Sequence, residues 1–128
     1  MTDLITRLSK LDAPDREVDV EIFIRFNIPA ERAGRIDYAH GMVGWWPKDG
    51  PYVSAVTVPA YTASVDAVIA LAERVLPKYG RFVRSDMHGH HAGVFTPYTM
   101  SVTEGSGATP AITLCIALLR AKEASNAE

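Results

Sequence analysis

The chain has 128 residues, a length typical of one domain, and we predict a single domain over residues 1–128. Hydrophobic residues make up 48% and charged residues 22%, ordinary values for a globular protein that exclude a disordered chain. The formal net charge is −2, so overall electrostatics do not draw the chain to duplex DNA or to an anionic membrane.

Cysteine usage and the lack of long apolar runs bear on the compartment. Cys115 is the only cysteine and lies within an apolar stretch, so it forms no intrachain disulfide and is expected to act as a small buried hydrophobe. Residues 1–7 lack the apolar region of a signal peptide, and no apolar run reaches the roughly 18 residues of a membrane span. We therefore expect a cytoplasmic protein with no membrane partner.

Two N-terminal segments have apolar periodicity. Residues 3–12 have helical spacing and predict a short amphipathic helix. Residues 17–26 fit two patterns, because every second residue is apolar, as in a half-buried strand, while Pro14 and Asp15 upstream and a second apolar stripe favour a helix. The alternating set is Val18, Val20, Ile22, Ile24 and Phe26, and the helical stripe is Val18, Ile22, Phe23 and Phe26. Pattern alone narrowly favours the strand.

Residues 27–60 are rich in proline and glycine and predict a long loop with one short strand around residues 53–58. Trp45 and Trp46 lie side by side in this segment. Two tryptophans would expose a large apolar area unless they pack on the core, on another subunit or on a ligand. Packing on the core is the favoured alternative.

The C-terminal half has clearer signals. Ser64 begins a predicted helix that ends before Pro77. Residues 81–87 and 93–103 are predicted strands, which the connector over residues 88–93 joins into a hairpin.

Residues 105–110, GSGATP, predict a flexible loop that leads into a final helix over residues 110–124. Thr109 is a good N-cap, and Pro110 suits the first helical turn. A helix start that follows small residues presents backbone N–H groups and a positive dipole end, which together make a simple anion site. The alternative is that these residues only make a turn and begin a helix.

Three segments resemble small phage and prophage proteins with the ABA sandwich domain. They are residues 59–68 (PAYTASVDAV), residues 107–121 (GATPAITLCIALLRA) and, more loosely, residues 15–19 (DREVD). The resemblance covers most of the chain outside residues 27–58 and implies that residues 15–26 form a helix. It also implies an α+β fold in which a small antiparallel sheet is flanked by helices, in αα-loop-αββα order and similar to an α/β/α sandwich.

The same resemblance implies a function. Some proteins of this type look like phage anti-defence sponges, which sequester a cyclic ADP-ribose immune signal or cyclic oligonucleotides and assemble as homo-oligomers. The implied function is therefore the binding of a cyclic nucleotide-type signal without cleavage, in the cytoplasm of a bacterial host and with no cofactor. The alternative is a structural or partner-binding phage protein without a small ligand, in which the Trp45-Trp46 loop is an interface.

A sponge of this kind must bind phosphates through arginines or backbone N–H groups and must stack bases on aromatic rings. If the strand over residues 81–87 alternates faces, only one of its two arginines points at any one site. The alternative for each residue is a solvated strand position or a core aromatic. The candidate ligand-binding residues are Arg81, Arg84, Ser106, Gly107, Thr109, Trp45, Trp46, Tyr61 and Tyr98.

Neither a metal site nor a catalytic site is predicted. His88, His90 and His91 follow Asp86, but their spacing is a weak metal signal, and an exposed turn is favoured over a metal-dependent hydrolase. No nucleophile lies in a motif with a general base, so we expect a protein that is not an enzyme.

Overall fold

The computed structural model describes residues 2–28, 30–97 and 102–126. In the described residues, four helices and six strands follow one another in the order ααβββαβββα. The helices are α1 (Thr2–Ser9), α2 (Arg16–Asn27), α3 (Val65–Val75) and α4 (Pro110–Asn126). The strands are β1 (Ala33–Ala39), β2 (Met42–Pro47), β3 (Val53–Thr57), β4 (Gly80–Asp86), β5 (Gly89–Phe95) and β6 (Val102–Gly107). The predicted α+β class is confirmed.

α2 shows why alternation is an unreliable strand signal. Asp15 is its N-cap and accepts hydrogen bonds from the backbone N–H groups of Glu17 and Val18, at 2.9 and 3.1 Å. The strand favoured by pattern alone is therefore wrong, and the helix implied by the resemblance is correct. Residues two apart lie on nearly opposite sides of a helix, so Val18 and Val20 are both buried because α2 packs on two of its sides.

α4 is the centre of the fold. Residues 111–119 are buried without interruption, because β4, β5 and β6 cover one side of the helix and α1 and α3 contact it elsewhere. A Cβ atom at Gly105 would lie 2.7 Å from the backbone N of Ala117 and 2.9 Å from the carbonyl of Thr113. The glycine in β6 thus lets the strand approach the α4 backbone closely. Cys115 is buried as predicted.

The segment predicted as a long loop instead forms the first sheet, an antiparallel meander of β1, β2 and β3. The prediction of one strand near residues 53–58 agrees with β3, but β1 and β2 were missed. His40 and Gly41 form the two-residue connection between them, with φ values of 53° and 75°, the left-handed conformations of a tight hairpin turn. The glycines and prolines of this segment lie in or between short strands and do not indicate a long loop.

β4, β5 and β6 form the second sheet, which is also antiparallel. Asp86 pairs with Gly89, so the hairpin turn is shorter than the predicted connector over residues 88–93. Residues 105–107, predicted as a flexible loop, lie in β6 opposite β5. The prediction of a helix beginning at Pro110 is confirmed, and Thr109 Oγ1 accepts a hydrogen bond from the N–H of Ile112 at 3.1 Å.

A buried carboxylate joins α2 to the first sheet. Asp19 is 1% exposed, and its Oδ1 accepts hydrogen bonds from the backbone N–H and the hydroxyl of Thr62, at 2.7 and 2.8 Å. Its Oδ2 lies 2.9 Å from Nη1 of Arg16, whose Nη2 donates to the carbonyls of Val58 at 2.8 Å and Gly41 at 3.3 Å. We call this group the Arg16–Asp19–Thr62 clamp.

No helix in the described residues is long and apolar enough to cross a membrane.

Candidate functional site

The second sheet has two different faces. Its inner face packs on α4 and includes Gly105 and the buried side chains of Ala92 and Val94. Cross-strand pairing places the alternate residues on the other side, which we call the outer face. Two rows cross it: Arg84, His91 and Ser106 form one, and Phe82, Gly93 and Glu104 form the next.

Two phenylalanine rings cover glycines of the outer face. A Cβ atom at Gly93 would lie 2.7 Å from Cζ of Phe82, and one at Gly80 would overlap the ring of Phe95. Phe82 remains 40% exposed, so part of its ring is open to solvent. An exposed aromatic ring is a surface on which a planar base can stack.

The row beside Phe82 is polar. Arg84 and Ser106 are exposed, His91 is half-buried between them, and Nε2 of His91 lies 3.7 Å from Oδ1 of Asp86. Within the described residues, the side chain of Arg84 makes no ion pair or hydrogen bond. The guanidinium is therefore available to an anion, and the imidazole and hydroxyl are available as further hydrogen-bonding groups.

The other sequence-predicted residues of this region lie elsewhere. Arg81 points to the opposite side from Arg84, as the alternation predicted, and its Nη2 lies 2.8 Å from Oε1 of Glu73 on α3. Gly107 faces Ile112 and Ile116 of α4. Thr109 caps α4, so its hydroxyl already accepts one of the N–H groups that the sequence offered to an anion.

The predicted aromatic residues do not converge on the outer face. Trp45 and Trp46 belong to the first sheet: Trp45 packs against the core, while Trp46 is 45% exposed and its ring centroid lies 4.7 Å from that of Tyr52. Tyr61 is 3% exposed, and burial raises the pKa of its hydroxyl. Tyr98 lies outside the described residues. Of the predicted set, the structure brings together Arg84 and Ser106.

The histidine segment forms a hairpin end. The N–H of His88 donates to Oδ1 of Asp86 at 2.8 Å, which closes the turn, and Nδ1 of His90 lies 2.5 Å from Oγ of Ser85. No group of three or more His, Cys, Asp or Glu side chains in the described part of the chain is arranged to hold a metal ion. Asp86 faces His91 rather than His90, so it does not orient the Ser85–His90 pair.

Two residues of the outer face were missed by sequence reasoning. Phe82 and His91 share it with Arg84 and Ser106. The signal was the alternation in β4, which places Phe82 on the same side as Arg84. Alternation does not locate His91 in the same way, because the predicted connector contained His91. Its position beside Arg84 and Ser106 follows only from the pairing of β5 with β4 and β6.

Comparisons with known proteins agree with the fold. No protein-family model and no curated protein sequence matches this chain. The crystal structure of a phage protein from Bacillus cereus ATCC 14579 has the same fold, with a TM-score of 0.54 and 17% sequence identity. The match covers 87% of this chain and 93% of that protein. The chain is thus similar, over most of its length, to a protein of phage origin.

Proposed function

We propose that this protein is a phage or prophage anti-defence protein that binds a cyclic nucleotide-type signal on the outer face of the second sheet and sequesters it uncleaved. The observation that carries the proposal is the row of Arg84, His91 and Ser106 beside the open ring of Phe82. The fold shared with a phage protein supports the origin. The resemblance of residues 15–19, 59–68 and 107–121 to ABA sandwich proteins supports the ligand class.

The outer face offers one group for each part of a nucleotide. Arg84 pairs with a phosphate, Ser106 donates a hydrogen bond to it, and the base stacks on Phe82. Neighbouring rows on a strand lie about 6.6 Å apart, which matches the spacing of a base from its phosphate. Asp86 and Glu104 flank the row and accept hydrogen bonds from ribose hydroxyls.

Sequestration requires that the bound ligand is not chemically changed. The Cys115 thiol is buried in α4, and burial raises its pKa, so it stays a neutral thiol away from the outer face. In this proposal the protein acts by mass action, since each bound molecule is removed from the free pool.

Binding assays of the purified chain test the proposal. Cyclic ADP-ribose isomers and cyclic di- and trinucleotides are titrated by calorimetry, and one of them is expected to bind with micromolar or tighter affinity. At a hundredfold excess over the dissociation constant, it should raise the free energy of unfolding by about 2.7 kcal/mol. Mass spectrometry of the ligand released by heating should show an unchanged mass.

Matched arginine variants locate the site. Arg84→Ala should weaken binding by about tenfold or more, because it removes a charge-assisted contact to phosphate. Arg35→Ala removes the same charge from the first sheet and should leave the affinity unchanged, since Arg35 already pairs with Asp37 at 3.0 Å. Absence of binding by every probe, or a cleaved product, would contradict the proposal.

A second candidate function rests on the first sheet. Six of the nine large hydrophobic side chains that are exposed in the described residues belong to residues 38–56: Tyr38, Met42, Trp46, Tyr52, Val53 and Val56. Exposed apolar side chains in this number are typical of a protein that binds a partner, so a partner-binding phage protein is the alternative. Trp46→Ala should then abolish capture of the partner without changing nucleotide binding, which separates the two candidates.

A further inference from the structure

The four edge strands of the two sheets differ in charge. β1 carries Arg35 and Asp37, β4 carries Arg81, Arg84 and Asp86, and β6 carries Glu104. β3, Val53–Thr57, carries no charged residue, and none occurs anywhere in residues 51–65. Charged side chains and prolines are the usual protection of an edge strand against pairing with another chain. β3 lacks both within its length.

β3 is also open to solvent along its whole length. All five of its residues are exposed, with Val53 at 40% and Val56 at 44%. β2 pairs with one side of the strand, and no strand in the described part of the chain pairs with the other side, which therefore presents unpaired backbone N–H and C=O groups. Valine and threonine favour the extended conformation, so the strand is ready to accept a further strand.

The composition of β3 favours a second copy of itself as that strand. A two-fold axis at Ala55 places Val53 opposite Thr57 and Ser54 opposite Val56, while the smallest side chain of the strand, Ala55, faces its own copy. β-Branched residues thus meet across the axis, and no like charges are brought together. A two-fold interface closes on itself and forms a dimer rather than a fibre.

We propose that β3 pairs antiparallel with β3 of a second copy, joining the two first sheets into one six-stranded sheet. The interface is separate from the outer face of the second sheet, so it does not depend on the ligand. Sedimentation equilibrium of the wild-type protein at micromolar concentration should give twice the monomer mass of 14.0 kDa. A monomer at that concentration would overturn the proposal.

Paired charge variants test the register. Val53→Lys with Thr57→Lys places two lysines opposite each other twice across the axis, and Val53→Glu with Thr57→Glu does the same with glutamates. Each double variant alone should raise the dissociation constant of the dimer by about tenfold or more. An equal mixture of the two should recover a dimer, because every opposed pair then has opposite charges.

A control places the charge on the other edge of the same sheet. Tyr38 on β1 is 58% exposed, and Tyr38→Lys should leave the dimer intact. Thermal unfolding followed by circular dichroism shows whether each variant is folded. Double variants that stay dimeric, or a mixture of folded variants that stays monomeric, would overturn the β3 pairing.

Discussion

The two sheets have the same number of strands and the same up-and-down connectivity, yet they relate to the core in opposite ways. The second sheet covers α4 with its inner face, and its glycines allow the strands to approach that helix closely. The first sheet covers α2 only partly, and a cavity of about 550 Å³ remains between α2 and β1. One sheet therefore covers the central helix, while the other leaves more large hydrophobic side chains exposed.

The largest expected contrast between the sheets is energetic. Ile116→Ala removes a 0% exposed side chain from α4 beneath the second sheet, where its Cδ1 lies 3.4 Å from the position of a Cβ atom at Gly107, and should lower the free energy of unfolding by about 3 kcal/mol. Val56→Ala in β3 shortens a side chain that is 44% exposed and should change it by less than about 0.5 kcal/mol. Urea unfolding of the monomeric Val53→Lys, Thr57→Lys background separates this effect from association. Equal losses would contradict the division between the two sheets.

A smaller loss of unfolding free energy is expected when the Arg16–Asp19–Thr62 clamp is broken. Asp19→Ala leaves Thr62 and Arg16 without their shared acceptor and should cost about 2 kcal/mol. Both tryptophans of the chain lie in β2, so their fluorescence reports the first sheet, whereas far-ultraviolet circular dichroism reports mainly the helices.

In Asp19→Ala the fluorescence transition should precede the dichroism transition, since the clamp no longer holds the first sheet to α2. Asp12→Ala removes an exposed carboxylate and serves as the control. Coincident transitions in Asp19→Ala would show that the clamp does not attach the sheet.

The smallest predicted effect is a pH dependence that comes from α4. Burial raises the pKa of the Cys115 thiol in the folded chain, while the unfolded chain keeps the ordinary pKa of about 8.5. The stabilisation is thus complete below that value and is lost as the pH rises toward the folded pKa, with a slope of about 1.4 kcal/mol per pH unit.

Urea unfolding of the wild-type protein and of Cys115→Ala between about pH 7 and 9.5 measures this slope. The wild type should lose about 1.4 kcal/mol more than the variant across that range, before the raised pKa of Tyr61 contributes. Parallel curves would place the thiol in a solvated environment.

Three of the four helices were predicted from pattern, whereas in α2 the apolar alternation favoured a strand. Asp15, Ser64 and Thr109 act as N-caps through local hydrogen bonds, so their signal is contained in a few neighbouring residues. The first sheet was missed because its hairpin depends on positive φ at His40 and Gly41, and His40 is not a strong turn residue. Only residues 105–107 of β6 were predicted as a loop, because Gly105 and Gly107 weaken a strand pattern, although their small size is what the α4 contact requires.

The candidate site was predictable only in part for a similar reason. Arg84 and Ser106 are 22 positions apart in the numbering but lie in one row because β5 pairs with both of their strands. Non-local pairing of this kind is set by the fold rather than by local pattern. The Arg16–Asp19–Thr62 clamp depends on the same kind of long-range contact and was likewise not predicted.

The most direct test of the central claim is an amide NMR titration of the full chain with cyclic ADP-ribose and with a cyclic trinucleotide. We predict chemical-shift changes at Arg84, His91 and Ser106 that saturate with ligand and are absent in Arg84→Ala, while residues of the first sheet stay unchanged. No change at these three amides with either probe, or changes confined to the first sheet, would contradict the assignment of the outer face as the binding site.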